Sequence, residues 1–146
     1  SNGKRWDVPA GARIDGASIP QIFWTAFGPP FVGDYRRASV VHDHYCDIRT
    51  ETDTATHRMF EDGCKAGGVP LVKAKAMYAA VNLGGPHWSG PAHAVLGGEA
   101  VVPQIRIVND QKFFEIEKWI EEDDPSLDEI DQRIEQSGPL IEVPLS

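Results

Sequence analysis

Glycine–proline clusters cut this chain into short pieces, and that punctuation limits its fold more than any other feature. Gly28-Pro29-Pro30, Gly67-Gly68 with Pro70, and Gly84-Gly85-Pro86 are each helix-ending combinations. Between them, apolar residues recur at spacings of three and four, which predicts amphipathic helices. The first runs over residues 21–27 with Ile22, Phe23, Trp24 and Phe27, and takes Ser18 as N-cap with Pro20 in its first turn. The second, 35–49, is capped by Asp34 and buries a stripe of Ala38, Val41, Tyr45 and Ile48. Asp53 or Thr54 caps a third helix reaching Lys65, with Ala55, Met59, Phe60 and Cys64 inward. A fourth covers 70–83. The links are short, so neighbouring helices are expected to run antiparallel.

Beyond a Gly- and Pro-punctuated loop (87–98), β-branched Val101, Val102, Ile105, Ile107 and Val108 predict a strand over 100–108. Helices follow at 111–122 and 126–136, with a short strand at 140–145. The expected class is α+β, mainly α: an antiparallel helix pair within a three-helix core, with short marginal strands. Residues 1–98 form the core domain, and 99–146 an acidic strand–helix–helix extension packed on it. A chain of 146 residues suits one hydrophobic core.

Charge is divided unevenly. Residues 1–98 hold ten Lys/Arg against nine Asp/Glu, while 99–146 hold four against thirteen, within a net charge of -8. No basic stripe forms, which argues against a nucleic-acid partner. No apolar run reaches the roughly 18 residues of a membrane span. Ser1-Asn2-Gly3-Lys4 lacks the apolar stretch of a signal peptide and reads as the edge of an excised domain, which leaves localisation open. Cys46 and Cys64 lack zinc or redox spacing and read as two buried thiols.

The chemistry concentrates on the second helix, where His42, Asp43, Tyr45 and Cys46 fall within about one turn. His42 shares a face with Tyr45 and Cys46, and Asp43 leaves about 100° away. The two cannot pair with each other, but they suit two roles at one site: a general base and a ligand for a hard cation. His57, with Asp53 and Glu61 four residues either side, can approach His42 from an antiparallel helix as a second base, an orienter or a metal ligand. An Asp53–His57 surface pair is the plainer alternative. Asp15 and Ser18, in the turn before the first helix, are accounted for equally by an Asx-turn and a cap. His44 is placed on a solvated face, and His87 and His93 in a loop suited to a lid or ligand arm.

Several motifs occur together: Val8-Pro9-Ala10-Gly11, Asp15-Gly16-Ala17-Ser18-Ile19-Pro20, Trp24, Ala38-Ser39-Val40-Val41-His42-Asp43-His44-Tyr45 and Arg58-Met59-Phe60. In this order they resemble the domain of unknown function 1353 family of phages, prophages and bacterial genomes, over roughly residues 5–85. The His-Asp helix is also similar to that of secreted phospholipase A2. That likeness implies His42 as base, Asp43 as calcium ligand and an orienting Asp at position 57, where this chain has His57. Asp53 is then the substitute orienter. The residues themselves offer another cofactor: a transition metal such as zinc, held by His42, His57 and a carboxylate from Asp15 or Asp43.

Two functions follow as expectations. One is a hydrolase, metal-assisted or not, acting on a lipid ester or cell-wall bond, with His42, Asp43, His57 and Asp15 in the centre and Ser18, Tyr45 and Asp53 supporting it. As a phage-related or secreted toxin domain it would have a larger parent protein and an immunity partner. The other is a non-enzymatic phage- or secretion-associated binding module, whose Asp/Ser/His/Asp residues form a structural polar network.

Overall fold

The computed structural model describes residues 6–12, 19–88, 104–106, 109–136 and 142–144. Six α-helices occur among them: α1 (Gln21–Phe27), α2 (Arg36–Ile48), α3 (Asp53–Ala66), α4 (Leu71–Gly84), α5 (Asp110–Asp123) and α6 (Leu127–Glu135). The fold is mainly helical. Two three-residue strands, β1 (Gln104–Arg106) and β2 (Glu142–Pro144), pair antiparallel with Ile105 opposite Val143. The other residues of the expected strands, and Asp15, Ser18 and His93, lie outside the described residues.

Helix α4 is the centre of the molecule. Ala74, Met77, Ala79, Ala80, Val81 and Leu83 are all buried, so the helix is apolar on every side. A helix of that kind must be covered all round, and α1, α3, α5 and α6 all pack on it. The expected α2–α3 pair does form, but the core is built around α4. Aromatic edges key α1 into place: Phe23 meets Phe27, Tyr35 and Phe60 at 5.0, 5.8 and 5.9 Å, and Phe27 meets Phe113 at 6.2 Å.

The helix starts differ from expectation in detail. Pro20, not Ser18, is the N-cap of α1, with extended backbone and no side-chain cap bond. Asp34 sits in a one-turn 3-10 helix, Gly33–Tyr35, and Tyr35 precedes α2. Thr52 rather than Asp53 or Thr54 caps α3, its hydroxyl accepting from Ala55 N at 3.0 Å. Gly67 ends α3 where a Cβ would collide with the Asp34 carbonyl oxygen, so glycine permits this close approach.

The apolar stripe assigned to α2 is also corrected. The buried residues are Ala38, Ser39, His42, Asp43, His44 and Cys46, whereas Val41 and Tyr45 are half-buried and Ile48 is exposed. Tyr45 faces the N-terminal segment instead: its hydroxyl accepts from Asp7 N and donates to Asp7 O, both at 3.0 Å, and its ring meets Trp6 edge-on at 4.8 Å. His44 is buried, not solvated.

The acidic helices are joined to the core by a carboxylate. Asp131 of α6 accepts from Tyr78 Oη at 2.6 Å, Asn82 Nδ2 at 2.8 Å and Arg58 Nη2 at 2.7 Å. The same guanidinium reaches Asp128 at 2.6 Å. Ser126 and Glu129 complete a capping box at the start of α6. Hydrogen bonds to a charged group carry more than neutral ones, and truncation leaves the Tyr78 hydroxyl, on a buried side chain, without its acceptor. Asp131→Ala is therefore expected to lower unfolding free energy by roughly 2–4 kcal/mol in urea titration. A loss below about 0.5 kcal/mol, typical of surface changes, would remove Asp131 as the anchor.

Candidate functional site

Two helices and one helix exit bring the chemical residues together. Short α2–α3 packing places His42 against His57, and the stop at Gly85-Pro86 turns the chain back over α3. His42 Nε2 and His57 Nδ1 are 2.9 Å apart, and His57 Nε2 lies 2.9 Å from the Pro86 carbonyl oxygen. That carbonyl can only accept, so His57 Nε2 carries a proton. With a single proton, held on Nε2, His57 offers Nδ1 as an acceptor, and His42 Nε2 donates to it. The proton order is set from the backbone outward, and it leaves the lone pair of His42 on Nδ1.

The surroundings are enclosed. His42 and His57 are 0% and 1% exposed. The His42 ring packs on Phe60 at 5.2 Å. The Cys46 sulfur lies 3.6 Å from Nε2 and 3.8 Å from Nδ1 of His42. Those near-equal distances put the sulfur against the ring rather than along the Nδ1 lone pair. Burial pushes the His42 imidazole down to about 3, so it is neutral at any physiological pH. Burial, and the neighbouring Glu61, push the Cys64 thiol up to about 12. Both cysteines are thiols.

Asp53 is not the orienter of either histidine. Its carboxylate accepts from His87 Nδ1 at 3.2 Å, Trp88 N at 3.3 Å and Thr54 N at 2.9 Å. Burial raises the Asp53 carboxyl, but the bonds from His87, Thr54 and Trp88 together with the His87 charge outweigh it and hold the group below its usual range. His87 Nε2 lies 2.6 Å from Asn82 O, so both its nitrogens face acceptors. Trp88 Nε1 donates to Glu51 O at 3.0 Å. The segment 86–88, expected as part of a loop or lid, is thus strapped to the start of α3. His57 meets the rings of His87 and Trp88 at 5.3 and 6.3 Å.

The structure therefore brings together His42, His57 and Cys46, with Asp53 beside them through His87. Asp43 is buried and partnered, whereas Tyr45 serves the N-terminal segment. Both ring nitrogens of His57 are engaged, one with His42 and one with the Pro86 carbonyl. Among the described residues, no group of three or more His, Cys, Asp or Glu side chains is arranged to hold a metal ion. Sequence reasoning missed the Pro86 carbonyl, which no side-chain pattern signals. It also gave Asp53 to His57, because helical spacing does not reveal a partner 34 residues away.

The enclosure has a measurable consequence. An unfolded histidine binds a proton near 6.5 and folded His42 only near 3, so the unfolded state takes up more protons between these values. The stability His42 permits is complete above about 6.5 and declines as pH falls, levelling near 3. The slope approaches about 1.4 kcal/mol per pH unit once the pH is well below 6.5. His42→Gln keeps a donor towards His57 and is expected to flatten that slope in denaturation series. An unchanged slope would show that His42 is not the group held neutral.

Residues 1–81 match the family described as "Protein of unknown function (DUF1353)". "Uncharacterized protein y4jT" of Sinorhizobium fredii (strain NBRC 101917 / NGR234) is 54% identical over 88 residues, 60% of this chain and 26% of that protein. "Uncharacterized protein y4iH" of the same strain is 41% identical over 87 residues, 60% of this chain and 36% of that protein. No solved structure matches. The chain spans about a quarter to a third of these relatives' lengths. It belongs to the DUF1353 family.

Proposed function

We propose that this DUF1353 member is a non-enzymatic, phage- or secretion-associated binding module, in which the His42–His57–Pro86 chain is a structural lock. The observation that carries this reading is the complete enclosure of His42 in a neutral form. A general base works best with a pKa near the operating pH and must reach its substrate. An imidazole pressed down to about 3 by burial meets neither condition in this conformation. Its chemistry suits another purpose: an imidazole can donate from one nitrogen and accept at the other, so the pair can link helix to helix to backbone. Such a network specifies one packing of α2, α3 and the α4 exit.

A hydrolase is the second reading, favoured by the proton order. His57 fixes the Nε2 proton of His42 and leaves Nδ1 as the proton acceptor, the base-and-orienter relation of hydrolytic centres. Asp43 beside it would hold calcium, and the substrate would be a lipid ester or a cell-wall bond. This reading requires a movement that uncovers Nδ1.

An NMR titration of the imidazoles, with His42→Gln as assignment control, separates the two. The lock predicts that His42 does not titrate between pH 8 and about 5. It also predicts no hydrolysis of p-nitrophenyl esters, calcium-supplemented phosphatidylcholine vesicles or peptidoglycan above the His42→Gln background. Turnover above that background on any of these substrates would replace the lock with the base.

A further inference from the structure

We propose that the groove between α1, α4 and α5 is the docking site of a basic amphipathic helix carried by a partner polypeptide. The proposal rests on the binding-module reading and supplies its partner.

The groove has a volume of about 460 Å³, within the range of cavities that take ligand groups or anchoring side chains. Its floor is apolar, with Ala26 and Phe27 from α1 and Val72 and Ala76 from α4. The elements that build it also carry three of the molecule's most exposed large apolar side chains: Trp24 at 42%, Leu71 at 47% and Phe114 at 42%. Trp24 is three residues before Phe27 and Phe114 three before Glu117, a spacing that shares a helix face with those lining residues, and Leu71 opens α4 at the same end as Val72. Clustered exposed apolar side chains rimmed by charge mark interaction surfaces.

One wall is anionic. Glu117 and Glu121 stand four apart on α5, where like charges repel. Among the described residues neither has an ion-pair partner, while Lys118 of the same helix turns to Glu122. Burial and the Glu121 charge raise the Glu117 carboxyl, the response of a carboxylate short of a cation. Lys73 lines the groove too, but its ammonium lies 5.9 Å from the Tyr35 ring centroid. An apolar trough with one uncompensated acidic wall fits a helix with large apolar anchors on one face and Lys or Arg beside them. A second copy of this chain, net charge -8, is a poor electrostatic match.

The test measures anisotropy of a fluorescein-labelled Leu/Lys amphipathic peptide of about 18 residues, against a scrambled peptide of the same composition. The full chain is expected to bind the amphipathic order at least about tenfold more tightly. Val72→Asp on the floor and Glu117→Lys/Glu121→Lys on the wall should each weaken binding by about tenfold. Glu129→Gln/Glu135→Gln on α6 should not. Circular dichroism checks folding, and the solvent-facing α5 pair keeps the test decisive if the floor variant unfolds. Equal binding of both peptides, or binding unchanged in the α5 variant, overturns the proposal. So does self-association that the α5 variant abolishes, which would make a second copy the occupant. If docking fails while His42 stays untitrated and no substrate is turned over, the groove assignment falls and the binding-module reading stands.

Discussion

A helix whose buried apolar side chains point in every direction must be surrounded, and α4 is such a helix. Its buried Ala, Met, Val and Leu side chains point in every direction, so no single neighbour satisfies it. Four helices gather round it, including the acidic pair α5 and α6, which would otherwise have little reason to leave solvent. Their negative charge is kept on the outside, and the inward carboxylate, Asp131, is neutralised and hydrogen-bonded by Arg58, Tyr78 and Asn82. Burial of the apolar helix and saturation of one polar anchor thus work together at the same face.

The His42–His57 bond is a second constraint that depends on the first. Where α4 stops, the chain returns across α3 and delivers the Pro86 carbonyl to His57. That carbonyl fixes a proton on His57, and His57 fixes one on His42. Asp53 and His87 tie down the same segment from the other side. The histidines therefore report the geometry of the α4 exit as much as any chemistry of their own. The neutrality of His42 follows from burial.

Much of this was legible beforehand. The glycine–proline clusters located the ends of α1, α3 and α4 within a residue or two, because loss of an N–H or access to a left-handed turn acts locally. Helical spacing correctly set His42 beside Cys46, and the short link from Arg49 to Thr52 made a meeting with His57 reasonable. The face of α2 was misread, because residue type alone favoured Val41, Tyr45 and Ile48 as the buried set. Ser39, His42 and Asp43 went inside because α3 brought histidine and phenylalanine against them, while Tyr45 was held by the backbone of Asp7. Asp53 was misassigned for the same kind of reason: its partner is near in space and distant in sequence.

The sequence by itself determined where the helices lie and end to within a residue or two, that the net negative charge lies in the last third, and that His42 and Asp43 leave α2 in different directions. Those are properties of single residues and of one helix turn. The tertiary structure decided which face of α2 is buried, which nitrogen of His42 keeps its lone pair, and that both histidines are closed from water. Hydrogen-bond direction and desolvation depend on atoms supplied by other elements, and no local pattern encodes where those atoms will come to rest. That is why His42 is recognisable as a candidate base in the chain and is a neutral, enclosed link in the fold.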